Sequence, residues 1–340
     1  MPNSNPRLGL IAVLLALTAG FPAQAVADVL YGRAVAFAQP NSVWDQEWQR
    51  TRQFIADREA VHLDFFTRGE RGSEEQMLHD LRRGRAHLGG MSLQGLASVV
   101  PELNIPMAPY VFDSVAEVDF VYDNHLFEIF DALFAERNPV LLQWVEVGWN
   151  GIYSNTPVRL PEDAAGLRLR GSPNPATQLF LKAVGADSIP LGSADLVPSL
   201  QTGLIEGGVS SVIFHYFVTR RYASHLTPSR HSYDTGAIVA NKAWFDGADA
   251  EQQEILRGAW GNVAQARAAV RALTGSAVAR MREEGIVVHE PDAAARERWR
   301  ERVQGIVPAL IARIGGDAQG VHEAVVAGKR AFALRAGGGP

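Results

Sequence analysis

The stretch Gly166–Ala186, GLRLRGSPNPATQLFLKAVGA, holds the side chains best placed to do chemistry in this chain. Side chains alternate across an extended run, so Leu167 and Leu169 point one way while Arg168 and Arg170 point the other. Gly171 and the Ser-Pro-Asn-Pro after it stop the strand. Asn174 is placed to cap a helix, Pro175 suits its first position, and Gly185 suits its C-cap. Arg170 therefore stands at the C-terminal end of a strand, where open α/β sheets gather their ligands. A guanidinium is a rigid fork of donors that meets a carboxylate with two parallel bonds. The adjoining helix start adds free backbone N–H groups and partial positive charge. The expected chemistry is the gripping of a small carboxylate. The bland alternative puts both arginines in solvent on an edge strand, paired weakly with nearby acids.

The segment SADLVPSLQTGLIEGGVSS has the same form. Ser193 is expected to cap a short helix that Pro198 shortens or bends and Gly203 ends. LIEGG reads as a strand, with Ser210 and Ser211 at its close. Catalytic signatures are missing. There is no Gly-rich phosphate loop. The runs at His289 (HEP) and His322 (HEAVV) fail the zinc-hydrolase spacing, and Gln94 in GMSLQG replaces the glycine a nucleophile elbow needs. The nine histidines are scattered without ligand spacing. With no cysteine, a thiol nucleophile, Cys-ligated zinc, a disulfide framework and a lipid-modified N-terminal cysteine are all excluded. No metal and no cofactor are expected. A hydrolase assembled from distant Ser, His and Asp residues is the weaker alternative.

These residues need a frame to hold them. At 340 residues the chain exceeds one ordinary hydrophobic core, so two domains are expected. Its 20% charged and 47% hydrophobic residues are an ordinary globular balance. A net charge of −5 leaves no electrostatic footprint for nucleic acid or anionic membrane. In MPNSNPRLGLIAVLLALTAGFPAQAVADVL, Arg7 precedes an apolar run that ends in Ala23-Gln24-Ala25, a small-x-small cleavage pattern. Residues 1–25 read as a secretory signal peptide, too short for a membrane span of about 20 apolar residues. No later run of that length follows, so the exported chain is expected to be free in the periplasm and not anchored to the membrane.

Along the exported chain, VLYGRAVAFA alternates as a strand and DQEWQRTRQFIADRE is helical. VHLDFFTRG is a second strand, SEEQMLHDLRRG a helix opened by Ser73 with Gln76 three places on, and AHLGGMS a third strand. This βαβα rhythm predicts a mostly parallel sheet flanked by helices. VVPELNIPMAPYVFDS reads as a connection, and VAEVDFVYDNHLFEIFDALFAER as helix. PVLLQWVEVGWNGIYSNTPV reads as two strands around Gly148 and Gly151, and the last third as a long Ala- and Arg-rich helical region.

At LPEDAAGLRLRGSPNPATQLFLKAVGADSIPLGSADLVPSLQTGLIEGG the sequence resembles the solute-binding proteins of tripartite ATP-independent periplasmic (TRAP) transporters. The Leu-Pro-Glu-Asp entry, GLRLR, AVGA, LQTGLIEGG and the earlier PELNIPMAPYVF carry the likeness, which runs in order over about residues 28–330. The resemblance implies an α/β, periplasmic-binding-protein-like fold: two lobes, each with a mostly parallel mixed sheet flanked by helices, a hinge and a central cleft. The expected boundaries are 26–148 plus about 236–275 for lobe I, and 149–235 plus about 276–335 for lobe II. It also implies a non-catalytic, monomeric protein that binds a small organic acid and hands it to TRAP membrane permease subunits. A sensory binding protein is the alternative.

By position Arg170 matches the arginine that grips the carboxylate in this family, while Arg168 matches a residue with no ligand role. Where many members have a ligand-touching asparagine this chain has Ser210; where some have an aromatic it has Ser193, and where some have a second arginine it has Asn150. Trp149 is a candidate aromatic wall. Ser92, at the mouth of a neighbouring strand, and Glu74, in the opening turn of the SEEQ helix, complete the candidate set. Arg68 or Arg71 would be a second cation for a dicarboxylate. The neutral Asn150 and Ser193 favour a monocarboxylate.

Overall fold

Local chemistry starts the helices where the sequence signals them. In the computed structural model, which describes residues 28–337, Ser42 Oγ accepts from Asp45 N to open the helix Val43–Ala56, and Ser73 Oγ accepts from Gln76 N to open Glu74–Arg82. Asn174 Oδ1 accepts from Thr177 N at 3.0 Å, Pro175 sits at the first helical position, and the helix Pro175–Ala183 is followed by Gly185 at φ +79°. The proposed signal peptide lies outside the described residues.

The strands are β1 (Leu30–Ala36), β2 (Val61–Phe66), β3 (Leu88–Ser92), β4 (Val140–Ser154), β5 (Arg168–Gly171), β6 (Asp187–Pro190), β7 (Gly207–Ser211), β8 (His225–Thr227), β9 (Tyr233–Ala240) and β10 (Val287–Val288). They lie in the order β2-β1-β3-β9-β4-β7-β5-β6, with β8 between β4 and β10. The outer neighbours are parallel: β1 with β2 and β3, β5 with β6 and β7, and β8 with β10. The centre is antiparallel, because β9 pairs with β3 and β4, and β4 pairs with β7 and β8. The fold is thus α/β with a mixed sheet flanked by helices. Its parallel rhythm is interrupted where two strands return across the middle.

β4 links the two halves of the sheet. Residues from Val140 to Trp149 pair with β9, and those from Asn150 to Ser154 pair with β7 and β8. Two strands were expected here; the chain instead forms one of 15 residues. Gly148, at φ +110°, is absorbed by a register shift between Glu146 and Gly148, so the strand bends without breaking. Two further corrections concern the next segment. The helix Leu196–Gln201 follows Asp195 and not Ser193, and Pro198 falls in its first turn, where a missing N–H costs nothing. The LIEGG strand begins only at Gly207.

The largest core cluster gathers Tyr122, Phe130 and Trp144, with rings edge-on at 5.3 and 5.8 Å, and runs on to Phe180 and Trp299. A second cluster lies under β1 and β2, around Trp48, Ile55, Leu63 and Phe245. The helix Val263–Glu283 packs on β4. The helix Ala318–Gly337 packs on Val115–Leu126, and Ile306–Ile314 packs on Pro175–Ala183.

Candidate functional site

The ends of β1, β3, β5 and β7 and the start of β9 converge on a cavity of about 240 Å³. β5 supplies its cation. Arg168 and Arg170 share a face, as alternation requires, but meet different surroundings. Arg168 is exposed, with Nη1 3.4 Å from Glu206, whereas Arg170 is only 6% exposed. Arg170 Nε donates to Leu191 O at 2.9 Å, which fixes the guanidinium plane. Among the described residues neither of its terminal nitrogens has a protein hydrogen-bond partner, and Arg170 is the only cation in the cavity lining. A buried, oriented, half-used fork of this kind has the chemistry to hold an anion.

Three acids stand in the same walls, the exposed Glu75 and the more enclosed Glu74 and Asp234. Glu74, in the first turn of its helix, accepts from both Ser92 N and Ser92 Oγ, the latter at 2.7 Å. Burial raises its pKa above the ordinary value, while the Ser92 bonds and Arg170 pull it down. Asp234, at the start of β9, accepts from Gln94 Nε2 at 2.6 Å. Burial pushes it up to about 6, against the Gln94 and Asn150 side chains and the charge of Arg170. Gln94 also accepts a bond from Ser172 Oγ, so one amide links the loop after β3, the loop after β5 and β9. Trp44, Trp48, Phe214 and Phe217 form aromatic walls.

Of the seven candidate residues, Arg170, Ser92, Ser193, Ser210 and Glu74 line the cavity. Trp149 and Asn150 do not. Trp149 packs edge-on against Tyr233 at 4.8 Å, and Asn150 is buried, with Nδ2 donating to Ser232 Oγ at 2.8 Å. Arg68 forks onto Asp45 at 2.7 and 2.9 Å, and Arg71 lies over the Phe66 ring; neither reaches the cavity. Gln94, Ser172, Asp234 and the aromatic walls were missed. For Asp234 the available signal was a carboxylate inside the otherwise buried run YDTGAIVA. A broader hollow of about 700 Å³ near Tyr110 and Ile311 has Lys329 as its cation, already bound to Asp113 and Val111 O. Among the described residues no group of three His, Asp or Glu could hold a metal.

Residues 56–313 match the family model described as bacterial extracellular solute-binding protein, family 7. The chain belongs to this family. It is one of the TRAP solute-binding proteins, as its ordered motifs implied. As a family 7 protein it is 27% identical over 252 residues to the ectoine/5-hydroxyectoine-binding periplasmic protein UehA of Ruegeria pomeroyi, covering 72% of each chain. Its fold matches the periplasmic ectoine-binding protein of the TeaABC TRAP transporter of Halomonas elongata, with a TM-score of 0.84 at 21% identity over 88% of this chain and 99% of that one. It also matches the sugar acid binding protein DctPAm of Advenella mimigardefordensis in complex with galactonate, with a TM-score of 0.82 at 23% identity over 88% of this chain and 100% of that one. Family members are periplasmic substrate-binding proteins, not enzymes. No helix among the described residues is long and apolar enough to cross a membrane.

Proposed function

We propose that this TRAP solute-binding protein captures a small organic acid in the cavity at the strand ends, with the carboxylate held two-pronged by Arg170. One observation carries this reading: a guanidinium 6% exposed, fixed through Nε to Leu191 O, with both terminal nitrogens unpartnered at the cavity wall. Burying a cation with two idle donors is costly unless something arrives to use them. Ser210 and Ser193 are further donors and acceptors for the body of the ligand. Charged hydrogen bonds contribute roughly 1.5–3 kcal/mol each. Micromolar capture needs about −8 kcal/mol, so the fork, a few neutral contacts and buried apolar surface suffice.

The protein works in the periplasm after removal of residues 1–25, as a monomer. Its lobes, 26–148 with about 236–275 and 149–235 with about 276–335, close by bending β4 near its register shift at Glu146–Gly148. A TRAP permease reads the closed form and takes the ligand. As in the family, no reaction is catalysed; among the described residues no histidine lines the cavity, and the hydroxyls of Ser92 and Ser172 are donated to Glu74 and Gln94. The relatives named above bind ectoines and galactonate, all of which carry a carboxylate.

The test is a thermal-shift screen of the purified mature chain against organic acids, followed by calorimetry on the best stabiliser. Arg170→Ala should weaken that ligand by well over tenfold. Unchanged affinity removes Arg170 from the site.

A further inference from the structure

The charge of the cavity does not suit a simple anion. One cation, Arg170, faces two inner carboxylates, Glu74 and Asp234, which leaves a net −1 when both are ionised, before the more exposed Glu75 is counted. An entering carboxylate adds a second negative charge just as water leaves, and in that medium like charges repel strongly. Nor are these acids fully occupied by structural bonds. Glu74 takes two hydrogen bonds, both from Ser92, and Asp234 Oδ2 takes one from Gln94. An ionised carboxylate has about four acceptor sites, so each retains room for a donor.

We propose that the ligand is a zwitterion, its carboxylate on Arg170 and a cationic nitrogen group, ammonium or amidinium, against Glu74 and Asp234. The inference rests on the binding-protein reading above and narrows its ligand class. A bound cation restores neutrality and uses the free acceptor sites. The aromatic rings of Trp44, Trp48, Phe214 and Phe217, which line the same cavity, also suit a diffuse cation. Burial already raises both acids, and a neighbouring cation reverses that cost where a second lone anion deepens it.

The test uses the mature protein and a thermal-shift panel of matched pairs. These are proline with cyclopentanecarboxylate and glycine betaine with 3,3-dimethylbutanoate, with ectoine, succinate and galactonate added. Zwitterions should stabilise the protein, and their isosteres, which keep the carboxylate but lack the cationic nitrogen, should not. Calorimetry on the best zwitterion should show at least tenfold weaker binding to Asp234→Asn or Glu74→Gln. A panel in which no zwitterion stabilises the protein overturns the proposal, as does a best zwitterion whose affinity both variants leave unchanged. If plain acids bind instead, lose affinity in Arg170→Ala and gain it in Asp234→Asn, the zwitterion fails while carboxylate capture stands. Binding of panel members that Arg170→Ala leaves intact removes both.

Discussion

Gln94 donates its side-chain N–H to Asp234 Oδ2 across 2.6 Å, tying the turn after β3 to the start of β9. Its carbonyl oxygen accepts from Ser172 Oγ, beyond the end of β5. One neutral amide thus donates to a buried carboxylate and joins two walls of the cavity. Gln94→Ala removes a bond to a charged acceptor, of order 1.5–3 kcal/mol, and should lower stability by about that amount in urea denaturation. A change below about 0.5 kcal/mol, the range of ordinary surface substitutions, would show that the bond contributes nothing.

Arg168 and Arg170 make a paired test. Arg168 lies in solvent, with Nη1 3.4 Å from a partly exposed Glu206, and exposed ion pairs contribute about 0–1 kcal/mol. Arg168→Ala should leave ligand affinity within about twofold, whereas Arg170→Ala should abolish most of it. Isothermal calorimetry on both variants with one ligand decides, and equal losses would mean that β5 acts as scaffold only.

Much of this contrast was legible in sequence because alternation and strand-ending residues are local. The LRLRG run, the Asn174-Pro175 helix start and the Ser73 cap are fixed by neighbours within four positions, and the structure follows them. β4 was misread because Gly148 breaks a pattern locally, while pairing with β9 on one side and β7 on the other holds the strand together. Asn150 was placed at the ligand because it stands where some family members have a second arginine, and Trp149 as a candidate aromatic wall beside it. The bend turns Trp149 onto Tyr233 and Asn150 toward Ser232. Asp234 and Gln94 lie 140 residues apart, and no local rule brings them together.

Asp234 also sets a pH dependence. Its folded pKa, pushed up to about 6 by burial, stands above the ordinary 3.8 of an unfolded chain. The folded state therefore binds the proton more tightly. The contribution is fully present below about 4 and is lost as pH rises through about 6. At 1.36 kcal/mol per pH unit the loss is on the order of 3 kcal/mol. Asp234→Asn, which cannot ionise, should gain stability relative to the natural protein between pH 4 and 7. Denaturation midpoints of both across that range check it, and parallel curves would place the Asp234 carboxyl near its ordinary value.

The last prediction concerns the bend in β4. Arg271, on the helix Val263–Glu283, donates to Glu146 Oε1 at 3.0 Å and forks onto Asp119 at 2.7 and 2.8 Å. Glu146 is 5% exposed and also accepts from Tyr233 Oη, so its carboxylate is buried in the sheet at the register shift, with Arg271 as its ion-pair partner. Arg271→Met keeps the stem and deletes the charge, leaving a buried carboxylate without its cation. Breaking a buried pair from one side costs about 3–5 kcal/mol. Since Arg271 is itself partly solvated, with 28% of its side chain exposed, a loss of about 2–3 kcal/mol is the expectation here. Adding Glu146→Gln to that variant should recover a large part of the loss, because the Tyr233 hydroxyl can still donate to a neutral amide oxygen. Urea denaturation of the two single variants and the double variant closes the cycle. Strictly additive losses would mean that the Arg271 and Glu146 charges do not act on each other, and that the helix is held on β4 by packing alone.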